Sequence, residues 1–194
     1  MAQNKMNRFR IILIGGSAGS LEVILDIING LPKNPDAVFV IIMHRRSDKD
    51  SILQNLLSYK SKLPVKEVED KEIIHNDTIY LAPPDYHLLV ENSETFSLDS
   101  SEKVHFCRPS IDVTFESAAE IFTTDVTALL LSGANTDGAL GLKFIRQMGG
   151  RTLVQNPATA EVSFMPQQAV NLKVADEILD TSRLLPRIRE LLGL

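Results

Sequence analysis

The segment Ala37–Met43 reads AVFVIIM, seven apolar residues with no polar one between them. A strand of this kind cannot show either face to water. It belongs inside a parallel sheet covered by helices on both sides. It is also far too short to cross a bilayer, which takes about 20 apolar residues in a helix. Phe9–Ile14 and Val126–Leu131 repeat the pattern, and Arg151–Val154 is a shorter version. Between the first two runs, Leu21, Ile24, Leu25 and Ile28 recur at helical spacing, Gly30 closes the helix and Pro32 prevents its continuation.

The remaining elements follow from caps and turn signals. Asp50 is suited to cap a helix reaching Tyr59, and Ser110 one reaching Phe122. Val65–Leu98 is broken by Asn76-Asp77 and Pro83-Pro84-Asp85, which predicts short strands and a hairpin, with Glu91–Lys103 the most loop-like stretch. Gly138–Met148 reads as a helix ended by Gly149-Gly150, Pro166–Lys173 as another, and the tail as an amphipathic helix through Leu184, Leu185, Ile188, Leu191 and Leu192. No repeat or linker interrupts the chain. The expected fold is α/β: a doubly wound, mostly parallel sheet flanked by helices (Rossmann-like) with a small antiparallel hairpin, in one domain over 1–194.

Charge and cysteine usage narrow the function. A net charge of −5 argues against a general nucleic-acid binder. The single cysteine, Cys107, allows no internal disulfide and no cysteine-based zinc site. The start, MAQNKMNRFR, lacks the apolar core of a signal peptide, so a cytoplasmic, reducing location is expected.

In doubly wound sheets ligands bind beyond the carboxyl ends of the strands, so residues just after strands are the candidates. Ser17 lies in Gly15-Gly16-Ser17-Ala18-Gly19, a G-x-S-x-G turn with a strand before it and a helix after it. The turn would lift the hydroxyl clear of the sheet, and the helix N-terminus would favour an oxyanion. The spacing fits neither G-x-G-x-x-G nor a P-loop. The plain alternative is a helix cap. His44 ends AVFVIIM and could serve as the base a serine needs. His75, His87 and His105 fall in the polar middle and read as structural or solvent-facing. Asp137 follows the third buried run and could orient the imidazole, or could simply cap the next helix. The chain order Ser…His…Asp differs from that of ordinary α/β-hydrolases.

The blocks IGGSAGS, IIMH, IYLAPPDYHLLV, RPSIDVTFESAA, LLLSGANTDGALGL and VQNPATAEVSFMPQQAV occur in a specific order. In them the chain resembles the catalytic domain of the chemotaxis protein-glutamate methylesterases, the CheB family, from about Arg10 to the last helix. The resemblance implies a Ser17–His44–Asp137 triad that hydrolyses glutamyl methyl esters on chemoreceptors and, in many members, deamidates glutamines. It implies backbone oxyanion donors including the N–H of Ala134, and no metal or organic cofactor. The implied partners are methylated chemoreceptor cytoplasmic helices, with a receiver or a methyltransferase in trans as further candidates. No nucleic acid and no membrane insertion are expected. Typical members carry an N-terminal receiver domain, and this sequence is expected to hold the catalytic domain without it.

Three departures from the family pattern stand out. Ala18 replaces a threonine after the nucleophile, Ser20 replaces a glycine, and Arg45-Arg46-Ser47 replaces apolar residues and proline. The arginines suit an acidic receptor surface, or form a solvated basic pair. Arg108 is placed to line the crevice or to make a salt bridge near the helix start; Met165 is placed to border the site or to pack; Cys107 reads as structural. A carboxylesterase with another substrate, and a non-catalytic signalling scaffold of the same fold, are the competing functions.

Overall fold

A computed structural model describes residues 9–45 and 52–194. Seven parallel strands form the main sheet: β1 (Arg10–Gly16), β2 (Ala37–Met43), β3 (Val65–Glu67), β4 (Ile79–Leu81), β7 (Val126–Leu130), β8 (Arg151–Gln155) and β9 (Glu177–Leu179), in the order β3-β4-β2-β1-β7-β8-β9. β5 (His87–Asn92) and β6 (Thr95–Asp99) make a separate antiparallel hairpin. The chain winds outward from β1 through β2, then returns to the other side of β1 with β7. The carboxyl ends of β1, β2 and β7 therefore meet where the winding reverses, the usual ligand crevice of such sheets.

Alternation along β1 divides the core. Ile11 and Leu13 face α3 (Ile111–Phe122), α4 (Ala139–Gln147) and α5 (Phe164–Asn171), packing with Phe115, Leu142 and Met165. Ile12 and Ile14 face α1 (Leu21–Gly30), α2 (Ile52–Lys60) and α6 (Thr181–Leu192), packing with Ile24, Leu57 and Ile188. β2 is buried at all seven positions, as its unbroken apolar run requires. No helix among the described residues is long and apolar enough to cross a membrane.

Several boundaries differ from the sequence reading. Glu91–Lys103 is not mainly loop: it holds the end of β5, the hairpin turn and all of β6. Its side chains are polar because the hairpin is half exposed. α5 begins at Phe164, with Pro166 in its first turn, where a missing N–H costs nothing. β9, three residues at the sheet edge, carries too little pattern to be read. Asp50, the expected cap of α2, lies outside the described residues.

Candidate active site

β1 and β2 run in register with Gly16 opposite Met43, and the His44 N–H donates to the Gly16 carbonyl at 3.2 Å. Ser17 and His44 are thus next to each other just beyond two adjacent strands, which lie about 4.8 Å apart. The Ser17 hydroxyl is not the cap of α1. Ser20 occupies that position, and its hydroxyl donates to the Ser17 carbonyl at 2.7 Å. The turn is left-handed at Gly19, with φ of 76°. The Ser17 N–H donates to the Ser132 carbonyl at 2.9 Å, fastening the turn to the loop after β7.

That loop must approach closely. A Cβ on Gly133 would come within 3.0 Å of the Ser17 Cβ and 2.3 Å of the Met165 Cε. Met165 is fully buried beneath it and acts in packing.

His44 Nε2 and Asp137 Oδ2 are 2.7 Å apart. Asp137 is fully buried, and four further donors reach its carboxylate. Oδ1 accepts from Ser110 Oγ at 2.9 Å, from the Asp112 N–H at 2.9 Å and from the Gly138 N–H at 3.1 Å. Oδ2 also accepts from the Ile111 N–H at 2.6 Å. Besides the N–H of Gly138 at the start of its own helix, Asp137 therefore takes the first N–H groups of α3, where a negative charge is favoured. The N-cap of α3 is Ser110, as expected, and its hydroxyl serves Asp137 as well.

The charges follow from these contacts. Burial alone would pull the His44 pKa down, but its contacts with Asp137 and Cys107 outweigh that and push it up to about 9. Burial alone would raise the Asp137 carboxyl; His44 and the N–H groups of Asp112 and Ile111 outweigh it and hold the group below its usual range. Asp112, buried and beside the Asp137 charge, is pushed up to about 6.

The sequence-predicted site residues are not all joined. His44 and Asp137 touch, whereas the Ser17 hydroxyl has no hydrogen-bond partner among the described residues. Serine–base contacts are often long in unliganded hydrolases and tighten when substrate binds. His44 Nδ1, the ring nitrogen turned away from Asp137, is 3.3 Å from Asn135 Nδ2.

Beside His44 opens a cavity of about 440 Å³, lined by Arg45, Asp85, Lys103, Phe106, Cys107 and Arg108. Cys107, read from the sequence as structural, lies at this cavity. Its sulfur accepts from Asn135 Nδ2 at 3.1 Å. Nothing in the local sequence pattern brings Cys107 to His44; the pairing comes from the fold. Arg45 is not a solvated cation either: it pairs with Glu67 and donates to the Ala82 carbonyl. Arg46 and Ser47 lie outside the described residues. Arg108 lines the cavity and donates to the Ser100 and Ser101 carbonyls, both at 2.6 Å, with no salt bridge to a carboxylate among the described residues. His87 is structural: fully buried, it links the Ser110 N–H to the Glu102 carbonyl. His105 faces Asp112 at 3.3 Å.

Comparison with known proteins gives a consistent picture. Residues 12–188 match the profile of the CheB methylesterase family. The chain is 39% identical over 176 residues to a Leptospira interrogans protein, provisionally named protein-glutamate methylesterase/protein-glutamine glutaminase, covering 91% of each chain. It is 34% identical over 183 residues to the Halobacterium salinarum protein-glutamate methylesterase/protein-glutamine glutaminase, covering 92% of this chain and 53% of that one. The crystal structure of the Thermotoga maritima CheB methylesterase catalytic domain superposes with a TM-score of 0.89 at 33% identity, covering 94% of this chain and 98% of that one. The chain thus spans nearly the whole of the first and third, and about half of the second.

Proposed function

This chain belongs to the CheB methylesterase family, and on that premise we propose that it is a serine hydrolase acting on the methyl-esterified glutamates of chemoreceptor cytoplasmic helices, with glutamine deamidation as a second reaction of the same site. The observation that carries this reading is the 2.7 Å contact of His44 with buried Asp137, one strand over from Ser17.

In this mechanism the Asp137 carboxylate holds the His44 proton on Nε2, which leaves the Nδ1 lone pair free to act as base. Ser17 Oγ attacks the ester carbonyl as His44 Nδ1 takes its proton. The same proton then goes to the departing methoxide, giving methanol, and a water activated by His44 releases the acid. The N–H groups of Ser17 and Gly133 are occupied by the carbonyls of Ser132 and Val162. Those of Ala18 and Ala134 are not tied to a carbonyl among the described residues, which favours them as the oxyanion donors. Lys103 and Arg108 on the cavity wall suit the carboxylates of a glutamate-rich segment.

The test is methanol release from a methylated receptor cytoplasmic fragment, with Ser17→Ala alongside. Release by the wild type and its loss, by at least a thousandfold, in the variant is the expected result. A folded wild type that releases none counts against the reading, and release that survives Ser17→Ala removes Ser17 as the nucleophile.

A further inference from the structure

Asn135 Nδ2 stands 3.3 Å from His44 Nδ1 and 3.1 Å from Cys107 Sγ. One amide nitrogen thus touches both atoms. The imidazole Nδ1 and the thiol sulfur converge on a single point at the wall of the cavity, and the Asn135 amide now fills it. The opposite ring nitrogen is held by a buried carboxylate. Histidines that bind metals are set up in this way: the free nitrogen ligates, and the other N–H is fixed by a carboxylate that orients the ring and raises its basicity.

We propose that Cys107 Sγ and His44 Nδ1 form a chelating site for a thiophilic divalent cation of the zinc class, with Asp137 as the carboxylate behind the histidine. Sulfur and imidazole together select Zn²⁺ or Co²⁺ over Mg²⁺ or Ca²⁺, which prefer oxygen. The ligand atoms of Cys107, His44 and Asp137 lie within 4.8 Å of one another. A tetrahedral zinc holds a sulfur and a nitrogen about 3.5 Å apart, given bonds of about 2.3 and 2.0 Å, and the chelate closes to that spacing as the Asn135 amide turns away. Asp137 is not itself a ligand, because five donors already occupy its two oxygens. Water from the cavity fills the remaining positions.

Binding is a proton exchange with no redox step. The Cys107 S–H bond breaks and a sulfur–metal bond forms. Any proton on His44 Nδ1 leaves as the nitrogen–metal bond forms, and these protons go to solvent. The bound cation takes the lone pair that ester hydrolysis needs, so metal and catalysis exclude each other. That consequence rests on the hydrolase reading; the binding does not.

The test is a titration of chelator-stripped protein with Co²⁺, read by the near-ultraviolet thiolate-to-cobalt charge-transfer band, followed by displacement with Zn²⁺. Wild type and Ser17→Ala should both develop the band at stoichiometric metal. Cys107→Ser should lose it, and Asp137→Asn should bind about 10- to 100-fold more weakly. Circular dichroism checks that each variant is folded. Absence of the band in wild type overturns the site. A band unchanged in His44→Gln also overturns it, since the thiol would then bind alone. If the band forms and Zn²⁺ leaves methanol release intact, the site stands and His44 is not the base; the two readings therefore fail separately.

Discussion

Asp137→Asn tests the site and the fold together. The amide keeps the carboxylate's shape but offers an acceptor on one side only. Three donors converge on Oδ1, from Ser110, Asp112 and Gly138, so the amide oxygen takes that place. The NH₂ then faces the Ile111 N–H and His44 Nε2. His44 can accept that N–H only by moving its own proton to Nδ1, the atom proposed as the base. In Ser-His-Asp hydrolases this change of tautomer costs about 10⁴-fold in turnover, or about 5.5 kcal/mol of transition-state stabilisation. The Ile111 N–H is left facing a donor, at a cost of about 1–3 kcal/mol. α3 also loses the anion at its N-terminus, worth about 0.3–1 kcal/mol. Relief of the repulsion between Asp112 and Asp137 offsets part of this. The net expectation is a fold weaker by about 1–3 kcal/mol, with the melting midpoint falling by about 2–4 °C for each kcal/mol. Methanol release and thermal unfolding, measured on the same preparation, decide it. Turnover within tenfold of wild type would refute the tautomer argument, and an unchanged midpoint would refute the hydrogen-bond accounting.

Three further outcomes follow from the structure. Because the base must be neutral and His44 is raised to about 9, kcat/KM should climb with pH up to about 9, well past the ordinary histidine range, with a lower apparent pKa in Asp137→Asn. The stability His44 contributes should be complete below about pH 6.5 and lost as pH rises through about 9, which denaturant unfolding across that window would record. Gly133→Ala should reduce turnover by about 10²-fold, because its Cβ would press on Met165 and on Ser17 itself; steady-state kinetics and a thermal melt separate that displacement from simple unfolding.

What the sequence revealed was whatever has a local pattern. β1, β2, β7 and β8 are legible because burial on both faces leaves an unbroken apolar run. Ser17, His44 and Asp137 stand out because each follows such a run, and residues after parallel strands share one sheet edge. The hairpin edge and β9 were not legible, since half-exposed or three-residue strands show no period. Contacts made across the fold were also hidden. Asp137 reaches the α3 N-terminus across 25 residues of sequence at Asp112, and Cys107 meets Asn135 across 28. Arg45 finds Glu67 from a different strand. Such pairs depend on how α3 and the loop before it lie against the sheet, which no single segment encodes.

The same distinction decides what the substitution at Ala18 means. A threonine hydroxyl there could help hold the turn that presents Ser17, and its loss suggests a slack site. The turn is instead held from the neighbouring strand. Ser132 Oγ lies 2.7 Å from the Ala18 carbonyl and donates to it, while accepting from the Val162 N–H at 2.9 Å. The Ser132 carbonyl takes the Ser17 N–H, and the Ser132 N–H is in turn anchored on Gln155 Oε1 at 2.9 Å. Both Ser132 and Gln155 are buried, so water does not compete for these bonds. Ala18 itself is exposed, so its missing hydroxyl belongs to the open side of the turn. The departure therefore bears on what meets the outer face of the turn, and the position of Ser17 is set by the loop after β7 and by β8.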